Sequence, residues 1–174
     1  MPVDQYLKEW LSDKSLWKKM EGAFMQKGGW EGWAQVEFGL FLTNKNYYKS
    51  VQREVAGIFK SSSDRADLLC EGDTGAKNWL KDVIELKTET LFQSGGGKDD
   101  FKKRVEGDIV KLESLASPYA SKEVRTTAIG ISIAMQTTND VKIAWGNKMN
   151  CIDVYAKSGE PWHIAAFYLT RTPG

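Results

Sequence analysis

Histidine and cysteine are nearly missing from this chain of 174 residues. One histidine, His163, is too few for a histidine-built metal site. Two cysteines, Cys70 and Cys151, make neither a disulfide framework nor a zinc cluster, and they fit a reducing compartment. An excess charge of one sign is missing too. Lys+Arg 24 against Asp+Glu 23 leaves a net charge of +1, which excludes a polybasic tail but not a local basic cleft. The longest nearly continuous apolar run, Ala128 to Met135, falls far short of the roughly 20 residues of a membrane-spanning helix, so no membrane association is expected. The opening MPVDQYLKEW has acids and no apolar stretch, so a secretory signal is not expected and the expected location is cytoplasmic. No Pro/Ser-rich linker, low-complexity tract or internal repeat divides the chain, and residues 1–174 read as a single domain.

What remains is the composition of a globular protein with a real core, 41% apolar and 27% charged. The first third is helical in pattern. Tyr6, Leu7, Trp10 and Leu11 recur at helical spacing, and Leu16, Trp17, Met20 and Phe24 resume it after a break near Ser12-Asp13. Gly28-Gly29 closes that segment, and a second helix carries Trp30, Trp33, Ala34, Leu40 and Phe41. From Val51 the texture changes to short apolar runs between turn residues: 54–59, 66–70 and 82–87. A third helix fits Asp99 to Leu115, with Phe101, Val105, Ile109 and Leu112 at helical spacing. Strands are expected at 126–135 and 163–170, with a strand or short pair of strands around Val141 to Ala156. The order α-α-β-β-β-α-β-β-β predicts an α/β protein, a mixed sheet flanked by helices behind an N-terminal helical segment.

Three acids interrupt this apolar pattern. Glu37 follows Trp33 by four and precedes Leu40 by three, inside the stripe of its helix; it is either a stripe-edge residue paired with a lysine or a site acid. Asp67 heads an otherwise apolar strand, where an aspartate also caps turns. In Val83-Ile84-Glu85-Leu86-Lys87 the two-residue period projects Glu85 and Lys87 from one face, either as a solvated ion pair or as part of a site. Consecutive strands are usually neighbours, and the second helix must cover this sheet. Three carboxylates and a lysine converging there make an oxygen-ligand site suited to Mg²⁺ or Mn²⁺. Phosphodiester hydrolysis uses such a group: the metal neutralises phosphate charge and activates water, and the lysine orients that water.

Asp67, then Glu85-Leu86-Lys87 eighteen residues on, with Glu37 upstream, resembles the motif of the PD-(D/E)XK, or restriction-endonuclease-like, nucleases. The resemblance covers roughly Trp30 to Ala134, with a helix before the strands and another after the motif; Arg65-Ala66 stands where many members have a proline before the aspartate. It implies a restriction-endonuclease-like fold and a metal-dependent endonuclease. Glu37, Asp67, Glu85 and the Leu86 carbonyl would be metal ligands, with Glu85, Asp67 and Lys87 the catalytic set. The resemblance also favours DNA over RNA, because most members of that family act on DNA. A homodimer would let one site address each strand, and the alternative expectation is a nuclease directed by a partner protein.

Other features weigh less. Lys45, Lys49 and Arg53, in a basic stretch with Tyr47 and Tyr48, read as a nucleic-acid rim or as a hairpin's exposed face. The third helix balances Lys98, Lys102, Lys103, Arg104 and Lys111 against Asp99, Asp100, Glu106, Asp108 and Glu113, which reads as a solvated face from which Lys102 and Lys103 can reach a phosphate backbone. Ser94 to Lys98 lacks phosphate-loop spacing and reads as a connection. Gly130-Ile131-Ser132 is only superficially a nucleophile elbow, since its second glycine is missing. His163 reads as structural and both cysteines as core residues. The competing functional reading is a non-catalytic interaction or inhibitor module on the same fold, with the tryptophan-rich N-terminal helices as its interface.

Overall fold

The computed structural model describes residues 3–26, 30–72, 81–90, 98–156 and 162–172. Two short helices, α1 (Val3–Leu11) and α2 (Lys14–Phe24), divide at Ser12-Asp13 as the sequence predicts. There the Asp13 carboxylate accepts the Ser15 amide at 2.9 Å and starts α2. Helix α3 (Glu31–Asn44) follows, and Ala34, Phe38 and Leu42, four apart, bury one face of it. Next come β1 (Ser50–Ala56), β2 (Arg65–Glu71), β3 (Lys81–Thr88), α4 (Lys98–Leu112), β4 (Val124–Ala134), α5 (Met135–Trp145), β5 (Asn150–Ala156) and β6 (Trp162–Arg171).

The six strands form one mixed sheet in the order β1-β2-β3-β4-β6-β5. Only β3 and β4 pair in parallel among these neighbours, joined by the crossover that contains α4. The protein is therefore α/β, with helices on both faces of a mixed sheet. Leu68, Cys70, Ile84, Leu86, Ile129 and Ile131 bury one face against α1, α2 and α3. Leu69, Val83 and Ala128 bury the other with Leu112 of α4, and Phe101 and Val105 continue that layer towards α5. Strand β4 is covered on both sides, which is why it reads as a nearly unbroken apolar run.

The structure corrects the sequence reading in several places. The expected strand or pair of strands around Val141 to Ala156 is split: α5 takes 135–145 and β5 only 150–156. Thr137, Thr138 and Val141 look strand-like, but Val141 and Trp145 are buried four apart on a helix face. The Glu89 carboxylate accepts the Ile133 and Ala134 amides at 2.9 Å, just ahead of α5. The expected strand 54–59 begins and ends earlier, because Gly57 turns the chain at φ 78° after Ala56. Cys151 is exposed rather than core, whereas Cys70 is buried. Gly28-Gly29 and residues 94–97 lie outside the described residues.

At the end of β3 remote from the acids, Asp82 is fully buried. Arg125, its register partner on β4, chelates it through Nε and Nη2, and the Tyr48 hydroxyl donates to it at 2.7 Å. On the α4 side of β4, Gly130 lies under Val105 and Phe101 so closely that a Cβ there would sit 2.8 Å and 3.0 Å from their side chains.

Candidate metal centre

The antiparallel register of β2 and β3 runs from Glu71 opposite Lys81 to Leu68 opposite Ile84. One further step would set Asp67 opposite Glu85, on the face that α4 covers. There the ladder stops, and the backbone N–H of Leu86 donates instead to Asp67 Oδ2 at 2.7 Å. The carbonyl of a strand residue leaves on the same edge as its N–H, so the Leu86 oxygen also faces this opening. Lys87 is two residues past Glu85 and shares its face.

Helix α4 completes the group. Asp108 falls on the same helical stripe as Phe101, Val105 and Leu112, and its side chain is buried against the sheet. Asp67, Glu85 and Asp108 each present a carboxylate oxygen, and these three lie within 4.8 Å of one another. Lys87 Nζ is 3.7 Å from Asp67, 3.7 Å from Asp108 and 2.8 Å from Glu31 at the start of α3. Arg104 of α4 holds the other oxygen of Glu31. Lys111, one turn beyond Asp108, donates to Glu85 Oε2 at 2.8 Å. Four acids thus face three cationic side chains.

The acids are strained by their setting. Burial, and then the neighbouring Asp67, push Glu85 up to about 8. Burial likewise lifts Asp108 to about 6, against the pull of Lys87. Asp67 is raised by burial as well, although Lys87 and the Leu86 amide oppose the shift. Burial works against the Lys87 ammonium, but Asp67, Asp108 and Glu31 outweigh it and hold its pKa above the usual lysine value. Two buried oxygens, Glu85 Oε1 and Asp108 Oδ2, accept no hydrogen bond, and Asp108 Oδ2 has only the Lys87 ammonium at 3.7 Å. Buried carboxylate oxygens that accept no hydrogen bond are costly unless a cation joins them. An all-oxygen donor set of this kind fits a hard divalent ion such as Mg²⁺ or Mn²⁺.

Of the residues singled out in the sequence, Asp67, Glu85, Leu86 and Lys87 come together. Glu37 does not: it lines a groove of about 540 Å³ with Glu9, Trp10 and Lys45, between α1, α2 and α3. Glu31, six residues earlier on α3, reaches the site instead, and six helical residues place the two on different faces. Among the expected nucleic-acid residues, Arg53 donates to Gln35 at 3.0 Å, one turn of α3 from Glu31. Lys45 pairs with Glu9 at 2.7 Å beside the Glu37 groove, and the Lys49 side chain lies across Gly72. Lys102 pairs with Glu106 at 3.1 Å, and Lys103 is exposed.

Tyr47 stacks on Tyr6 at 4.0 Å and Tyr48 is buried against Asp82, so neither is an open platform for bases. Trp10 and Trp30 are likewise core residues. His163 bonds Asp153 at 2.8 Å, away from the acids. Sequence reasoning missed Glu31, Arg104, Asp108 and Lys111. The signal was there for Asp108, a charged residue inside the apolar stripe of α4, but the balanced charges of that helix masked it.

Among the described residues, no helix is long and apolar enough to cross a membrane. Compared with models of protein families, with curated proteins and with solved structures, the chain matches none.

Proposed function

We propose that the protein is a divalent-metal-dependent nuclease of the restriction-endonuclease-like type, hydrolysing phosphodiester bonds, with DNA favoured over RNA. One observation carries the reading: a buried group of three carboxylates with two oxygens that accept no hydrogen bond, beside a lysine held in its charged form. The run α3-β1-β2-β3-α4-β4, with Asp67 and Glu85-Leu86-Lys87 on neighbouring strands, supports the fold assignment.

Asp67, Glu85, Asp108 and the Leu86 carbonyl would hold Mg²⁺ or Mn²⁺. Such an ion, when bound, supplies Lewis acidity to a phosphoryl oxygen and lowers the pKa of a water. Lys87 remains an ammonium at neutral pH, so it acts as a donor and a fixed positive charge rather than as a base. Its place among Asp67, Asp108 and Glu31 lets it orient the attacking water and stabilise the negative charge that develops on the phosphate. Glu31 fixes the Lys87 side chain, and Arg104 fixes Glu31 in turn. Arg53, Lys102 and Lys103 are the side chains we assign to contacts with the nucleic-acid backbone.

The test is cleavage of single- and double-stranded DNA and RNA with Mg²⁺, Mn²⁺ or EDTA. EDTA abolishes cutting, and Lys87→Ala lowers it about 100-fold or more while the protein still binds Mn²⁺. Cutting at the wild-type rate by Glu85→Ala overturns the assignment. Failure to cut any substrate, with no Mn²⁺ bound, favours the interaction-module reading.

A further inference from the structure

Lys111 is the one basic side chain at this site whose described carboxylate partner is the deepest acid, Glu85, which has no exposed surface. Its Nζ lies 2.8 Å from Glu85 Oε2, while the other oxygen, Oε1, accepts no hydrogen bond. Glu85 is not its only anchor. The same ammonium donates to the Arg65 carbonyl at 2.7 Å and stands 4.8 Å from the centre of the Phe59 ring. Its side chain keeps 23% of its surface in solvent. Lys87, by contrast, is enclosed by Glu31, Asp67 and Asp108 together.

We propose that Lys111 is a built-in competitor for the metal: it neutralises Glu85 in the metal-free protein and gives up that ion pair when a divalent ion binds. The inference rests on the proposed metal site. Its logic is electrostatic. Above the raised pKa of Glu85, where all these groups are ionised in the metal-free protein, Glu31, Asp67, Glu85 and Asp108 exceed Lys87, Arg104 and Lys111 by one negative charge, and without Lys111 by two. A divalent ion entering beside Lys111 therefore meets both a smaller attraction and a like charge at Glu85. Lys111 keeps the crowded acids compatible with the fold when no metal is present, and it lowers metal affinity as a consequence. Once released, its ammonium stays within the cleft, held by the Arg65 carbonyl and the Phe59 ring.

The experiment is an anaerobic calorimetric titration of the full chain with MnCl₂ at fixed ionic strength and a fixed pH of about 8.5, where Glu85 is largely ionised before the metal binds. It compares wild type with Lys111→Met, Lys111→Gln and Lys111→Arg, each paired with melting curves. Loss of the charge in Lys111→Met and Lys111→Gln tightens Mn²⁺ binding about tenfold or more, while Lys111→Arg stays within about threefold of wild type. The metal-free melting temperature of Lys111→Gln falls, and saturating Mn²⁺ restores it. Should Lys111→Met not fold, Lys111→Gln carries the comparison, since it keeps a donor for Arg65. Unchanged or weaker binding in the folded neutral variants, with wild type binding normally, overturns the competitor role and leaves the metal site standing. If neither wild type nor any variant binds Mn²⁺, the metal site itself is wrong and the competitor role falls with it.

Discussion

In the metal-free protein, acidification should stabilise the fold, and Glu85 sets the size of the effect. A carboxyl whose pKa is raised by folding keeps its proton longer in the fold than in the unfolded chain. Its stabilising contribution is complete below the ordinary value of 4.5 and is lost as pH climbs through about 8. Each such retained proton is worth about 1.4 kcal/mol per pH unit. Between pH 7.5 and pH 5.5 Glu85 therefore contributes about 2 kcal/mol, or roughly 4–8 °C in melting temperature for a chain of this size. Asp108, raised to about 6, adds to the rise at the acidic end. Mn²⁺ reverses the trend, because it binds the ionised carboxylates; at a hundredfold excess over its Kd it adds about 2.7 kcal/mol. The assay is thermal melting in EDTA and in Mn²⁺ across this pH range, with Glu85→Gln alongside. A metal-free melting temperature that is flat or rises with pH would refute the reasoning. So would a Glu85→Gln protein that keeps the wild-type slope.

The closeness of α4 to the sheet gives a second expectation: Gly130→Ala forces Val105 and Phe101 away, costs about 1–3 kcal/mol and weakens Mn²⁺ binding by carrying Asp108 outward, as melting and titration will show. Arg125→Met strands Asp82 without a counter-charge and costs about 3–5 kcal/mol in urea unfolding, and adding Asp82→Leu recovers much of that loss. Glu37→Ala leaves stability within about 0.5 kcal/mol and cleavage unchanged. Glu31→Ala, by releasing Lys87 and Arg104, slows cleavage about 10- to 100-fold in the same assay.

The parts of the site that sequence reveals are those set by strand period. Glu85 and Lys87 are two apart, and Asp67 lies on the preceding strand, so period and adjacency bring them together before any coordinates exist. What sequence hides depends on helix phase. Glu37 and Glu31 are both on α3, and the stripe that makes Glu37 conspicuous is the one that faces α1 and α2. Glu31 stands at the helix start, where no periodicity marks it, and only the position of the helix end relative to β3 gives it a role. Asp108 and Lys111 read as two charges among ten on one helix until the packing of α4 against β3 and β4 separates the inward pair from the solvated ones. The fold shows the same division. Strands with alternating or continuous apolar runs are legible, while α5 is concealed by its threonines and valine and declared by tertiary burial.

The buried Asp82–Arg125–Tyr48 group has a consequence for the fidelity of assembly. Moving β3 by one residue along β4 would turn Glu85 and Lys87 into the layer filled by Ile129 and Ile131, and would empty the acidic cleft of its principal members. Apolar side chains on a strand covered from both sides discriminate poorly against such a slip, because either face accepts them. A buried aspartate that finds both its arginine and its tyrosine in only one alignment does discriminate. The wrong pairing leaves a charge in the core, and the chain has to dissociate and try again. The acid cluster at one end of β3 is thereby held in register by an ion pair at the other.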